Sequence, residues 1–209
     1  MYHHWYQLVR ATPFSTDMNW PQGLLNIFNV ARNQNVPFES RYYGPYISLL
    51  NYALVDDTFS FFISPQISPN EDTSYEAEGP VMFLVVFNLE HKPVLFAEIR
   101  DDGWVNRPNK CLRADYQMHS RCEELLLDCS IPRLYGLSLL GTSLRVYCAD
   151  TITSEVTPDP IALSNRNYVV PRNFFVGEWN LDILSLDGLK KMQQIVAYIK
   201  AEGVHIMEK

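Results

Sequence analysis

The chain has 209 residues, 47% of them hydrophobic and 13% aromatic, and a formal charge of −7 at neutral pH. That length favours one large domain, and the composition supplies a core and excludes a disordered chain. The acidic balance excludes a protein whose whole surface tracks a nucleic-acid backbone, because such surfaces are basic over a broad face, although a local basic groove stays compatible with it.

The first ten residues, "MYHHWYQLVR", contain no apolar h-region, so no secretory signal is expected, and no run approaches the roughly 20 apolar residues of a membrane span. An intracellular setting follows, cytoplasm or nucleus. Residues 1–20 read as a peripheral segment of a single domain spanning 1–209. Within it His3 and His4 are an incidental pair at a terminus, while Tyr2, Trp5 and Tyr6 are candidates for a partner or dimer surface.

"WPQGLLNIFNVAR" predicts a helix, with Pro21 tolerated in its first turn and Leu24, Leu25, Ile27 and Phe28 as its apolar stripe. After the polar loop "NQNVPFES", "RYYGPYISLLNYAL" predicts a second helix. Pro45 lies near its start, and Tyr46, Leu49, Leu50 and Ala53 recur at i, i+3, i+4, i+7. "TFSFFIS" reads as a strand, and "PQISPNEDTSYEAEGP", rich in proline, serine and acids, as a loop. "VMFLVVFNL" and "PVLFAEIR", apolar on both faces and linked by "EHK", predict a hairpin of strands covered on both sides.

Beyond the loop "DDGWVNRPNK", a helix is expected over "CLRADYQMHSRCEELLLDC", with a stripe of Leu112, Ala114, Met118, Cys122, Leu125 and Leu126. "RLYGLSLLGTSLRVYCAD" predicts two strands around Gly141-Thr142, and a last helix starts from the N-cap Ser185 and buries Leu189, Met192, Ile195, Val196 and Ile199. The order gives an α/β or α+β domain with a mixed sheet flanked by helices. The cysteines, Cys111, Cys122, Cys129 and Cys148, stand 11, 7 and 19 positions apart. That spacing excludes a Cys-x-x-Cys zinc or redox motif and leaves free, buried or half-exposed thiols.

The end of "PVLFAEIR" carries the chemistry. Glu98 and Arg100 lie two apart on one strand, so they share a face and stand roughly 6.6 Å apart along it. Two charges at the end of a core strand are costly unless they serve each other or a ligand. The arrangement of a helix, a hairpin whose second strand ends Glu-x-Arg, and a helix bearing Asp115 and Gln117 resembles the PD-(D/E)XK nuclease-like superfamily. The stretches "YYGPYISLLNYAL", "KPVLFAEIRDDGW", "RADYQMHSRCEELL", "IPRLYGLSLLGTSLRVY" and "GEWNLDILS" are similar to a set of small fungal proteins assigned to that fold. The resemblance covers roughly residues 40–200 and implies a restriction-endonuclease-like core.

On this resemblance Glu98 would be a ligand of Mg²⁺ or Mn²⁺, Arg100 would take the motif's lysine position, Gln117 would support the site, and Glu39 could be an acid from the preceding helix. Hard cations need such oxygen ligands, and the metal would activate water against a phosphodiester. Two departures are visible. Arginine stays protonated and can stabilise charge without acting as a base. The motif's proline-aspartate has no counterpart, since Pro80 is followed by Val81; Glu76, Glu78 or Asn88 are the substitutes for the missing ligand. Asp101 and Asp102 add acid past the strand.

Three uses of the Glu98–Arg100 pair stay open: a structural ion pair, metal-dependent cleavage, or binding of a protein or nucleic acid without cleavage. Gln117 could equally bond backbone, and Glu39 could complement a helix dipole. His91 and His119 are read as solvated. Arg100, Arg107, Lys110, Arg113 and Arg121 face Asp101, Asp102 and Asp115 in one tract, a local balance of +2. With Trp104 and Tyr116 interleaved, it could grip a phosphate backbone or be an ordinary helix face.

Overall fold

The computed structural model describes residues 14–34, 39–55, 58–67, 82–160, 171 and 175–207, with the side chains of 204–207 excepted. Two helices open it. In α1 (Gln22–Asn33) the buried residues are Leu24, Phe28 and Ala31, at i, i+4, i+7. Leu25 is only half-buried and Ile27 points outward, so the inward face is rotated from the expected stripe. In α2 (Ser40–Leu54) every residue of the expected stripe is buried, joined by Tyr42 and Leu54. Pro45 stands in the second turn rather than at the start, which removes one i→i−4 donor.

Strands β1 (Phe61–Ile67), β2 (Met82–Asn88) and β3 (Pro93–Arg100) form an antiparallel meander. The chain then makes a short 3₁₀ turn at Asp102–Trp104 and enters α3 (Pro108–Leu126), whose first residue is proline. It returns as β4 (Arg133–Leu140), parallel to β3, and turns at Gly141 into the antiparallel β5 (Ser143–Asp150). Gly141 has φ +63°, and a Cβ there would meet the Asp102 backbone at 2.9 Å, so the tight turn needs glycine on two counts. Two short strands, β6 (Val156–Thr157) and β7 (Leu181–Asp182), pair with β5. α4 (Leu186–Met207) closes the chain, with the Ser185 Oγ accepting from the Gly188 N–H at 3.0 Å as an N-cap. The short β6 and β7 were not legible as strands in the sequence.

Among the described residues this is an α/β protein with a mixed sheet of seven strands flanked by four helices. β3 lies centrally and all eight of its residues are buried, as its two-sided apolar pattern required. On one face α1, α2 and α4 pack against Leu95, Ala97, Ile99, Leu137 and Leu139. On the other, Met118 and Cys122 of α3 pack against Phe83, Phe96, Leu134 and Tyr147. Gly136 makes that second contact close: a Cβ there would stand 2.6 Å from both Met118 Cε and Phe96 Cζ. No helix among the described residues is long and apolar enough to cross a membrane.

Candidate functional site, a buried polar seam under helix α3

Parallel pairing sets Glu98 beside Ser138 and Arg100 beside Leu140, and antiparallel pairing sets Glu98 opposite Phe83. α3 crosses this face with its apolar stripe down. One flank of the helix carries Lys110, Gln117 and Arg121 and looks toward β2 and β3; the other carries Asp115 and His119 and looks toward β5.

On the first flank the Glu98 and Arg100 side chains are each only 2% exposed. Arg100 donates to Glu98 Oε1 from Nε at 3.2 Å and from Nη2 at 3.1 Å. Nη2 also donates to Gln117 Oε1 at 2.7 Å, and the guanidinium stacks 4.7 Å from the Trp104 ring. A planar fork that reaches two acceptors while lying on an indole is work for arginine, which a lysine ammonium would do poorly. The structure therefore brings Glu98, Arg100 and Gln117 together as one buried cluster.

The first turns of α2 border this corner. The Tyr43 hydroxyl is pushed up to about 12, chiefly by burial and then by the Glu39 carboxylate, against a hydrogen bond with the Met82 backbone and the Arg100 charge, with Glu98 adding weakly to the rise. Glu39 is the N-cap residue of α2, yet its side chain caps no N–H. Asp101 and Asp102 are both held by Arg41 of α2, the former at 2.8 Å, and Asp101 also accepts from the Gly103 N–H at 2.9 Å. These acids tie α2 to the turn after β3.

Of the remaining metal candidates, the structure describes only Asn88, which does not join Glu98. Asn88 is five residues along β2 from Phe83, the residue opposite Glu98, which places it roughly 16 Å away at the far end of the hairpin. There its Oδ1 accepts from the N–H groups of Glu90 and Lys92 at 3.1 and 2.8 Å, so it closes the turn. Glu76 and Glu78 lie outside the described residues. Among the described residues no three His, Cys, Asp or Glu side chains form a group that could hold a metal ion, and the Glu98 carboxylate is already bound by a guanidinium. The oxygen donors described at this cluster, one carboxylate and one carboxamide, are too few to hold Mg²⁺ by themselves.

The basic tract is divided as well. Lys110 and Arg121 are buried, with Lys110 Nζ 5.1 Å from the Trp104 ring and the Arg121 guanidinium 4.4 Å from Phe83. Arg121 also pairs with Glu124 at 2.7 Å. Arg107 is exposed and Arg113 half-buried, so the four do not make one open cationic face.

The second flank was missed in the sequence. Asp115 Oδ1 accepts from Arg145 Nη1 at 2.9 Å and from the Tyr147 hydroxyl at 2.7 Å. Arg145 also faces Glu178 at 3.5 Å, and its guanidinium lies 5.1–5.4 Å from the rings of Tyr147, Phe175 and Trp179. Burial, and then Asp115, pushes the Tyr147 hydroxyl far up, so it stays a donor. Trp179 Nε1 donates to Ser138 Oγ at 3.2 Å. His119, expected at the surface, is buried edge-on to Tyr147 with its Nε2 3.9 Å from Asp115 Oδ1, and burial lowers its pKa. His91 does lie at the surface, stacked on Phe87 at 4.5 Å. A signal for the cluster existed: "SLRVYCAD" puts Arg145 and Tyr147 two apart on one strand face, as Glu98 and Arg100 are in β3.

Compared with known proteins, the chain matches no family model, no curated protein and no solved structure.

Proposed function

We propose that the chain is a restriction-endonuclease-like scaffold, divergent within the PD-(D/E)XK type, that binds a partner rather than cleaving a phosphodiester. The observation that carries this reading is the Arg100 guanidinium caught between Glu98 and Gln117, with the glutamate and arginine almost entirely withdrawn from solvent. A carboxylate neutralised this way is a poor ligand for a hard cation, and an arginine so engaged is not presented to a phosphate. The helix–meander–helix–strand order from α2 to β4 supports the fold side of the reading. A protein partner is favoured over nucleic acid, because three of the five tract cations, Arg100, Lys110 and Arg121, are buried on aromatic rings and the chain as a whole carries −7.

The test is a thermal melt with and without Mn²⁺ on the wild type and on Glu98→Ala, paired with incubation on plasmid DNA and single-stranded RNA. The reading expects no metal-dependent rise in melting temperature and no cleavage. A Mn²⁺-induced rise that disappears in Glu98→Ala, accompanied by cleavage, would restore a metal-dependent nuclease in its place.

A further inference from the structure

A cavity of about 410 Å³ opens beside α3 on its Asp115 flank, away from the Glu98 corner. Leu112, Tyr116 and Pro160 supply its apolar lining, and Asn109, Arg113, Asp115 and His119 its polar lining. That volume is in the range of pockets that hold a small organic ligand and far exceeds the space of a single ordered water.

Among the described residues, one buried atom in this wall lacks a hydrogen-bond partner. His119 is 7% exposed, and its Nε2 makes no hydrogen bond among the described residues. The nearest acid does not satisfy it: Asp115 Oδ1 lies at 3.9 Å and already accepts from Arg145 and Tyr147. Native proteins rarely strand such a nitrogen, since an unmet buried polar group costs about 1–3 kcal/mol. A ligand group seated in the cavity would meet it.

The lining restricts the chemistry of that ligand. Asp115, Glu123 and Asp159 act on His119 against Arg145, and Arg113 adds a second cation to the wall. Charges of both signs in one small space disfavour a simple anion or cation. The hydrogen-bonding groups are equally mixed: a guanidinium only donates, a carboxylate only accepts, while a carboxamide and a neutral imidazole do both. A matching ligand must donate and accept from neighbouring atoms, as a hydroxylated ring does. Tyr116, 74% exposed at the mouth, offers an aromatic face on which the C–H side of such a ring can lie.

We propose that this cavity binds a neutral saccharide of one or two rings, stacked on Tyr116 and hydrogen-bonded through adjacent hydroxyls to His119 Nε2 and Asn109. The site is separate from the Glu98 corner and does not depend on the reading given for it. The test is NMR of the full chain, following the His119 imidazole nitrogens and the Tyr116 ring during titration with glucose, N-acetylglucosamine and maltose, each to about 10 mM, with adenosine in parallel. A saturable shift of both residues with at least one saccharide is expected. The His119 shift should be absent in Tyr116→Ala, an exposed position whose change leaves the fold intact, and the Tyr116 shift should be weakened in His119→Gln. No saturable shift with any of the three saccharides, an unchanged shift in Tyr116→Ala, or saturation by adenosine alone would overturn the proposal.

Discussion

Removing Arg100 should injure the protein more than its position at a strand end suggests. In Arg100→Met the Glu98 carboxylate loses two donor contacts, Gln117 loses one, and Trp104 loses the guanidinium stacked on it. Breaking a buried ion pair from one side costs about 3–5 kcal/mol. For a chain of this size that corresponds to a fall of about 6–20 °C in Tm. Arg100→Lys keeps the charge but not the fork, and should lose about 1–3 kcal/mol. The double variant Glu98→Leu/Arg100→Met removes both charges and should recover most of the loss, because buried ion pairs replaced by apolar groups are often neutral in stability. Urea unfolding followed by tryptophan fluorescence measures all of these. The reasoning fails if Arg100→Met lies within about 1 kcal/mol of wild type, or if the double variant costs the sum of the two single changes.

Gly136→Ala forces a methyl group against Phe96 and Met118 and should cost about 1–3 kcal/mol in urea unfolding, and less than that when measured in a Met118→Ala background, where one of the two clashes is gone. Burial pushes Cys122 up to about 12 and Cys111 up to about 11, so Ellman's reagent at about pH 8 should modify these two slowly in the native protein and all four cysteines readily in guanidinium. His119 is held below its ordinary 6.5, by burial first and by Arg145, against the opposing pull of Asp115, Glu123 and Asp159. The unfolded chain therefore takes up this proton first, and stability should fall as pH drops through 6.5. His119→Gln should flatten the Tm profile across that window; a profile as steep as wild type would assign the acid sensitivity elsewhere.

The elements were legible wherever the physics is local. The α2 and α4 stripes and the two-sided apolar runs of β2 and β3 follow from a period of 3.6 or from complete burial, and each lies where its pattern placed it. Glu98 and Arg100 were readable as a pair because they are two residues apart on one strand. Asn88 shares a strand with the residue opposite Glu98 but not its neighbourhood, since five residues of β2 carry it to the opposite end of the hairpin, a separation that residue type alone does not reveal. Lys110 and Arg121 looked like surface cations, and only tertiary packing shows the rings of Trp104 and Phe83 beneath them. The Asp115–Arg145 bond joins residues 30 apart on different elements, and no local spacing encodes it.

α3 is fastened to the sheet on both sides by unlike chemical pairs, Gln117 to Arg100 on β3 and Asp115 to Arg145 on β5. An apolar stripe alone tolerates sliding, because one methyl group substitutes for another. These two fastenings do not: a one-turn shift of about 5.4 Å would break both at once, bringing Arg113 or Arg121 to the place of Gln117 and Cys111 or His119 to that of Asp115, and so would set no carboxamide against Arg100 and no carboxylate against Arg145. The helix therefore has a single permitted rotation and depth. β3 and β4 pair directly as parallel strands, and the chain between them is the crossover that contains α3, so the helix spans the seam between the β1–β3 meander and the β4–β5 hairpin and braces it from one face. Substitutions that exchange one apolar residue for another along the stripe should be absorbed, whereas altering either fastening loosens the joint between the two halves of the sheet.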